Sequence, residues 1–386
     1  MSTELARPLK NRFDRHEWAG AFADLGTLIP FVTAYLVILK MPPQGILLGF
    51  GFALVACGWF YKTPIPVQPM KAIGAVAATQ SAFMSSLSGG AVVAAALATG
   101  LFWLLAGLSG LSSWLGRIVP RAVLTGVMLG LGLAFMHEGS RMMASTWWLA
   151  VIGVGLLVLL HRSRVLPAMF ALLLLGAGYA FLTQPGLLSA LRHASHDFVW
   201  TNPLVDGSIG PEQWVLGIFY LALPQIPLTL GNAILGIEVE NNRQFPDRPV
   251  SARRVSLSTG LMNLFSGSIG GVPMCHGAGG MAAHVAFGAR TGGSSMILGS
   301  LLIVSGLLFS APMMVLLLAF PTAVLGVILF AAGLFLVKGN MPDPSSRAAL
   351  WVVLLTAGLS AWNVAVGFLA GWFLHFALTR GWAKMD

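Results

Sequence analysis

Two stretches of this chain are apolar enough to lie inside a membrane, yet neither can be one continuous helix. The first is Thr63-Pro-Ile-Pro-Val-Gln-Pro-Met-Lys71, running on to Ala77. The second is Gly270-Gly-Val-Pro-Met-Cys-His-Gly-Ala-Gly-Gly280, running on to His284. Pro64, Pro66 and Pro69 in the one, and Pro273 beside paired glycines in the other, remove backbone donors and push the preceding residue away from helical geometry. Each stretch then turns helix-compatible. Irregular backbone at membrane depth is tolerated only where protein buries it or where it lines a cavity. A half-helix that starts there aims free N–H groups at that cavity, which makes an anion site.

The membrane assignment rests on charge. Charged residues are 9% of the chain and hydrophobic ones 56%, with a mean hydropathy of +0.82, so no water-soluble surface can be built from it. Lys and Arg outnumber Asp and Glu by 22 to 13, but they stand singly, not clustered with aromatics as a nucleic-acid footprint requires. No nucleic-acid partner is expected. Cys57 and Cys275 lie in apolar or glycine-rich surroundings and suggest no metal site. His193, His196, Asp197 and Asp206 share a polar connection but are not taken as metal ligands. No cofactor is expected. No H-E-x-x-H or G-x-S-x-G motif occurs, and an enzyme is not expected.

Reading apolar runs between turn signals gives spans near 18–39, 45–61, the first break with its half-helix over 69–83, 90–111, 122–136, 146–160 and 166–182. A second set follows at 214–236, 251–268, the second break with its half-helix to 287, 296–310, 321–337, 349–361 and 364–378. The fold class is thus an all-α polytopic membrane protein of about fourteen transmembrane segments, with the broken ones third and tenth. Residues 1–17 carry basic residues without an apolar core of their own, so they read as a cytoplasmic tail and not as a cleaved signal. With that tail inside, every basic residue except Lys40, Arg141, Arg192 and the intramembrane Lys71 falls on the cytoplasmic side. Both termini are then cytoplasmic in a multi-pass protein of a bacterial inner membrane.

The two sets of spans echo each other. Pro120-Arg-Ala-Val-Leu124 recurs as Pro321-Thr-Ala-Val-Leu325, and Gly132-Leu133 as Gly333-Leu334 at the same offset. An odd number of spans per repeat inverts the second copy. The expected division is a tail at 1–17, a seven-span repeat at 18–183, an extracytoplasmic connection at 184–213, an inverted repeat at 214–379 and a tail at 380–386, with the half-helices meeting near the bilayer midplane.

At these residues a family resemblance emerges. Pro64-Ile-Pro-Val-Gln-Pro-Met-Lys71 and Pro273-Met-Cys-His-Gly-Ala-Gly-Gly280, continuing to Phe287-Gly-Ala-Arg290, resemble the signature motifs of the molybdate transporter family related to the sulfate permeases. Asp24-Leu-Gly-Thr27 resembles its first-span motif. The resemblance implies a uracil-permease-like fold with core and gate domains interleaved from the two repeats, molybdate as substrate, and a homodimer. It also turns Leu223-Pro-Gln-Ile-Pro-Leu-Thr-Leu-Gly-Asn232 of the eighth span toward the substrate.

The candidate substrate shell is Gln68, Met70, Lys71, Gln225, Asn232, Cys275, His276, Gly277, Ala278 and Gly279, with Asp24 and Thr27 as coupling residues. Glycines at a half-helix start let a tetrahedral oxyanion reach several N–H donors, although small residues also serve close helix packing. His276 either donates to the anion or caps the half-helix. Lys71 either serves the anion directly or indirectly, or it snorkels or pairs structurally with Asp24. Gln68, Gln225 and Asn232 either line the site or bridge helices. Asp24 is either the carrier of a coupling proton, a charged partner of Lys71, or a ligand of a coupling sodium ion. Molybdate, tungstate and sulfate are all tetrahedral dianions, and a nucleobase–proton symporter is the alternative that shares the fold. Import by elevator-like alternating access is the function expected.

Overall fold

The computed structural model describes residues 10–79, 87–160, 163, 166, 168–194, 204, 206–207, 209–286, 288–338, 341 and 347–382. The chain opens on α1 (Arg15–Ala21), where Asp14 accepts from the N–H groups of His16 and Glu17. These bonds, Glu17 first, hold the Asp14 carboxyl below its usual range. A 3-10 turn at Phe22–Asp24 leads into α2 (Leu25–Val37), and the axis bends by 46° between Ile29 and Phe31. The intervening residue is Pro30, which cannot donate to the preceding turn. The first span expected at 18–39 is therefore broken.

Next come α3 (Pro43–Tyr61), β1 (Gln68–Pro69), α4 (Lys71–Thr79) and α5 (Gly89–Ser109). The half-helix expected to reach residue 83 leaves the described residues after Thr79. Gly110, at φ 78°, closes α5 and starts α6 (Leu111–Ile118), a short helix not foreseen from apolar length. Then follow α7 (Arg121–Met143), a 3-10 turn at Ala144–Thr146, α8 (Trp147–Leu160), α9 (Ala168–Thr183) and α10 (Leu187–His193), the last lying in the expected polar connection. His196 and Asp197 of that connection lie outside the described residues.

The eighth span is longer than expected. α11 runs from Pro211 to Gln244 and includes two π-helical stretches, Leu216–Ala222 and Thr229–Leu235. Pro224 and Pro227 lie between them, and a widened turn accommodates the clash that a proline ring makes with the carbonyl four residues back. The chain ends with α12 (Ala252–Ser268), β2 (Met274–Cys275), α13 (Ala278–Ala286), α14 (Gly293–Leu308), α15 (Ser310–Ala319), α16 (Thr322–Lys338), α17 (Arg347–Ser360) and α18 (Val364–Thr379). α15 was not foreseen; it leaves α14 at about a right angle, a bend of 102° measured over Ser310–Leu316.

Helix pairs far apart in sequence pack most extensively: α7 with α16, α5 with α12, and α3 with α14. Without a hydrophobic drive between lipid-bathed helices, close packing at small residues holds them. A Cβ on Gly326 would lie 2.6 Å from the Gly139 carbonyl oxygen, and one on Gly333 would lie 2.5 Å from that of Gly132. α3 and α14 meet in the same way at Gly51 with Gly299 and at Gly58 with Gly292. One large apolar cluster joins α2 to α5 with α11 to α14 and takes in Val127, Met128 and Phe135 of α7 and Leu329 of α16. Separate small ones lie between α8, α9 and α16, around Leu172 and Val327, and between α7 and α17, around Leu129 and Val353.

Because the α7–α16 crossing is backbone against backbone, Gly326→Val should lower the stability of the detergent-purified protein by about 1–3 kcal/mol or more. Gly178→Val, where nothing lies within 4 Å, should leave the thermal midpoint unchanged. Equal midpoints for the two variants would contradict the glycine-limited crossing.

Candidate functional site

The two breaks meet. β1 and β2 pair antiparallel, Gln68 opposite Cys275 and Pro69 opposite Met274, and the Met70 N–H adds a bond to the Pro273 carbonyl at 3.0 Å. A two-residue ladder leaves most of the extended backbone unsatisfied, and side chains complete it. Asn263 of α12 acts as a third strand, accepting from Met274 N at 2.8 Å and donating to Met274 O at 2.6 Å. Ser266 donates to Val272 O, and Ser295 to Ile65 O. Buried carbonyls that lipid cannot serve are thus paired inside the protein.

His276 belongs to this scaffold. It is fully buried, its Nδ1 lies 2.8 Å from the Pro66 carbonyl and its Nε2 lies 2.9 Å from Ser258 Oγ. A carbonyl only accepts, so Nδ1 carries the proton and the ring ties one break to the other. Both nitrogens are engaged with protein atoms. Met70 is fully buried in the apolar cluster, and Cys275 is a buried free thiol in β2.

α11 runs past both half-helix starts. Gln225 accepts from Ala72 N at 2.8 Å at the start of α4 and donates to Thr229 at 2.9 Å. Two turns on, Asn232 Nδ2 lies 3.8 Å from where a Cβ on Gly277 would stand, at the start of α13. Seven residues of helix span roughly 10 Å, which sets the spacing of the two starts along α11. The amides of Lys71 and Ile73 at one start, and of Ala278, Gly279 and Gly280 at the other, donate to no protein group among the described residues. Lys71 opens α4, is buried, and makes no ion pair within 4 Å among the described residues.

The glycines differ. A Cβ on Gly277 would collide with Gln68 Oε1, and one on Gly280 would collide with Gln68 Nε2 and lie 2.9 Å from Asp24 Oδ1, so both serve the approach of Gln68. Gly279 has nothing within 4 Å, and Ala278 lies against Gly236 of α11.

Asp24 is fully buried. Gln68 Nε2 donates to its Oδ1 at 2.7 Å, and His284 Nε2 stands 2.8 Å from its Oδ2, close enough for an ion pair though not aligned as a hydrogen bond. The partners of Asp24 are therefore Gln68 and His284, not Lys71. Nitrogen groups on both oxygens are also a poor setting for sodium, which takes oxygen ligands. Thr27 donates to its own helix at Asp24 O, 3.1 Å away.

His284 was missed in the sequence because it ends an apolar half-helix and nothing local distinguishes it. Glu17 was missed as part of a polar tail. It is fully buried and accepts from the N–H groups of Arg290, Thr291 and Ser294 at 2.9 to 3.1 Å, neutralising the start of α14.

Known proteins share this fold. The transmembrane domain of a cyanobacterium bicarbonate transporter, BicA, superposes with a TM-score of 0.66 at 16% identity, covering 95% of this chain and 98% of its own. Murine Slc26a9, an anion transporter in the inward-facing state, gives 0.69 at 12% identity over 97% of this chain and 70% of its own. The chain is 30% identical to Molybdate transporter 2 of Arabidopsis thaliana over 94% of its length and 87% of the relative's. It is 32% identical to Molybdate transporter 1 of the same plant over 93% and 87%. The sequence profile of the family described as "Molybdate transporter of MFS superfamily" matches residues 16–135 and 217–336. This integral membrane protein, built on an anion-transporter fold, belongs to the molybdate transporter family.

Proposed function

We propose that this chain is a secondary transporter that imports a tetrahedral oxyanion, molybdate first and tungstate or sulfate next, by elevator-like alternating access. The observation that carries the reading is the pair of half-helix starts facing α11, with free amides at both and Lys71 at one. Each start supplies roughly half a positive charge and Lys71 one more, so together they offset about two negative charges. A tetrahedral dianion is balanced there. The names of the relatives favour molybdate over a nucleobase.

The same reading takes the chain as fourteen spans in a seven-plus-seven inverted repeat with both termini cytoplasmic. The two profile matches begin at 16 and 217, and the recurring Pro-x-Ala-Val-Leu segments at 120 and 321, both 201 residues apart. Glycines matched by that repeat, Gly132 and Gly333, touch each other, as they would across a two-fold axis. Two small apolar clusters have their buried members on α7 to α9, α16 and α17 alone, and the large one reaches that side only at Val127, Met128 and Phe135 of α7 and Leu329 of α16. The moving core is α1 to α5 with α11 to α14, and the gate is α7 to α9 with α16 to α18, which would also supply a dimer surface.

An ionised Asp24 beside the dianion unbalances the site, and an uncompensated charge at low dielectric costs several kcal/mol. One proton taken up by the Asp24–His284 pair restores neutrality, so the loaded carrier moves with the proton aboard. Uptake then rises as the outside becomes more acidic.

Two variants test this. Gly279→Val fills open space at the α13 start, so it should weaken molybdate binding about tenfold or more while the protein remains folded; unchanged affinity would show that these amides do not hold the anion. Asp24→Asn imitates the protonated acid and should bind and exchange molybdate yet lose the dependence of uptake on external acidity. Failure of that variant to bind any oxyanion, or wild-type uptake that follows sodium and ignores pH, would refute proton coupling.

A further inference from the structure

The amide of Gln68 is buried, 1% exposed, and its two ends are treated unequally. Nε2 donates to Asp24 Oδ1 at 2.7 Å, whereas Oε1 has no hydrogen-bond donor. That oxygen lies against Gly277, on the side of the α13 start where Asn232 Nδ2 also stands. A bare carbonyl oxygen at that place repels an anion. It is also an unpaired buried acceptor, which proteins rarely leave without a reason. Turning the amide by half a turn about its last torsion exchanges the two ends. Nε2 then faces the anion and Oε1 faces Asp24. An ionised carboxylate cannot receive that oxygen, because two acceptors would oppose each other, but a protonated one donates to it.

We propose that Gln68 is the coupler of the carrier: protonation of Asp24 turns its amide, and the turned amide donates to the oxyanion. This rests on the proton-coupled reading above. Proton and anion then favour each other's binding to the same degree, as linkage requires. The proton goes onto the Asp24 carboxyl and leaves when the anion does; no bond in the anion is made or broken.

The surroundings isolate this pair. His284 of α13 holds the other oxygen of Asp24 at 2.8 Å, and Lys71 of α4 lies within electrostatic reach. From α1, His16 stands against Gly288, and Glu17 is occupied by the amides of Arg290, Thr291 and Ser294. α2 and α9 bring no Asp, Glu, His, Lys or Arg. At the far end of α11, Glu240 pairs with Arg243 at 2.8 Å, and Glu238 is half-buried. The glycines at 277 and 280 leave the amide the flat surface on which it turns.

The test is molybdate binding to the purified protein by calorimetry, over the pH range in which molybdate stays a dianion. Wild-type affinity should fall as pH rises, approaching tenfold per unit when one proton accompanies each anion. Gln68→Met should bind at least tenfold more weakly at the acid end and show a shallower slope, the remainder being the direct repulsion between ionised Asp24 and the anion, with its thermal midpoint recording that it is folded. Asp24→Asn should keep acid-end affinity at every pH. A Gln68→Met protein with the wild-type slope overturns the coupler alone. A wild type without slope, or Asp24→Asn that keeps one, overturns the proton-coupled reading and the coupler with it. Should Gln68→Met not be recovered folded, Gln68→Glu preserves size and places a carboxylate at the anion: at least tenfold weaker binding supports the coupler, and wild-type binding overturns it.

Discussion

The structure depends on keeping two pieces of extended backbone in the middle of an apolar bundle. Two ladder residues on each side cannot satisfy them, so neighbouring helices lend side chains: Asn263 as a third strand, His276 as a tie to Pro66, and Ser266 and Ser295 as donors to carbonyls. A carbonyl left without such a partner in hydrocarbon costs several kcal/mol, enough to melt the break. What the scaffold leaves free among the described residues are the N–H groups of Lys71 and Ile73 at one half-helix start and of Ala278, Gly279 and Gly280 at the other. The polarity of the site follows, because paired carbonyls and free amides make the place between the two starts electropositive before any charged side chain is counted. Lys71 adds charge to a place already suited to an anion.

A second constraint ties Asp24, the proposed coupling residue, to the same break. Asp24 sits on the 3-10 turn that leads into α2, and its carboxylate reaches across to Gln68 of β1 and to His284 of α13. Any change in its protonation is therefore felt at both breaks. Glu17, two turns earlier, anchors the same segment to the start of α14 by three backbone bonds. The start of the first span is thus fixed at one end and responsive at the other.

Much of this was legible in the sequence. Apolar length located α3, α5, α9 and α16 within a few residues, and proline with glycine marked both breaks, since these signals are local. Gln68, Lys71, Gln225 and Asp24 stood out as lone polar groups in apolar surroundings, where burial is costly enough to require a partner. Their partners were not legible. Asp24 meets a glutamine 44 positions on, and Glu17 the backbone of Ser294, 277 positions away; tertiary packing alone creates such pairs. From its neighbours in sequence His276 could donate to an anion or cap the half-helix; in the fold it spends both nitrogens on Pro66 and Ser258. The long α11 escaped for another reason: its polar end, Ile237 to Gln244, lies past the apolar run yet continues the helix.

The most direct test of the account is where the metal of the anion sits. In tungstate-soaked crystals measured at the tungsten absorption edge, a single anomalous peak is predicted between the start of α4 and the start of α13, next to the amides of Ile73 and Gly279 and beside Lys71, and excess molybdate should displace it. A peak confined to the basic loops, or none at saturating tungstate, would contradict the claim that paired half-helix starts hold the oxyanion.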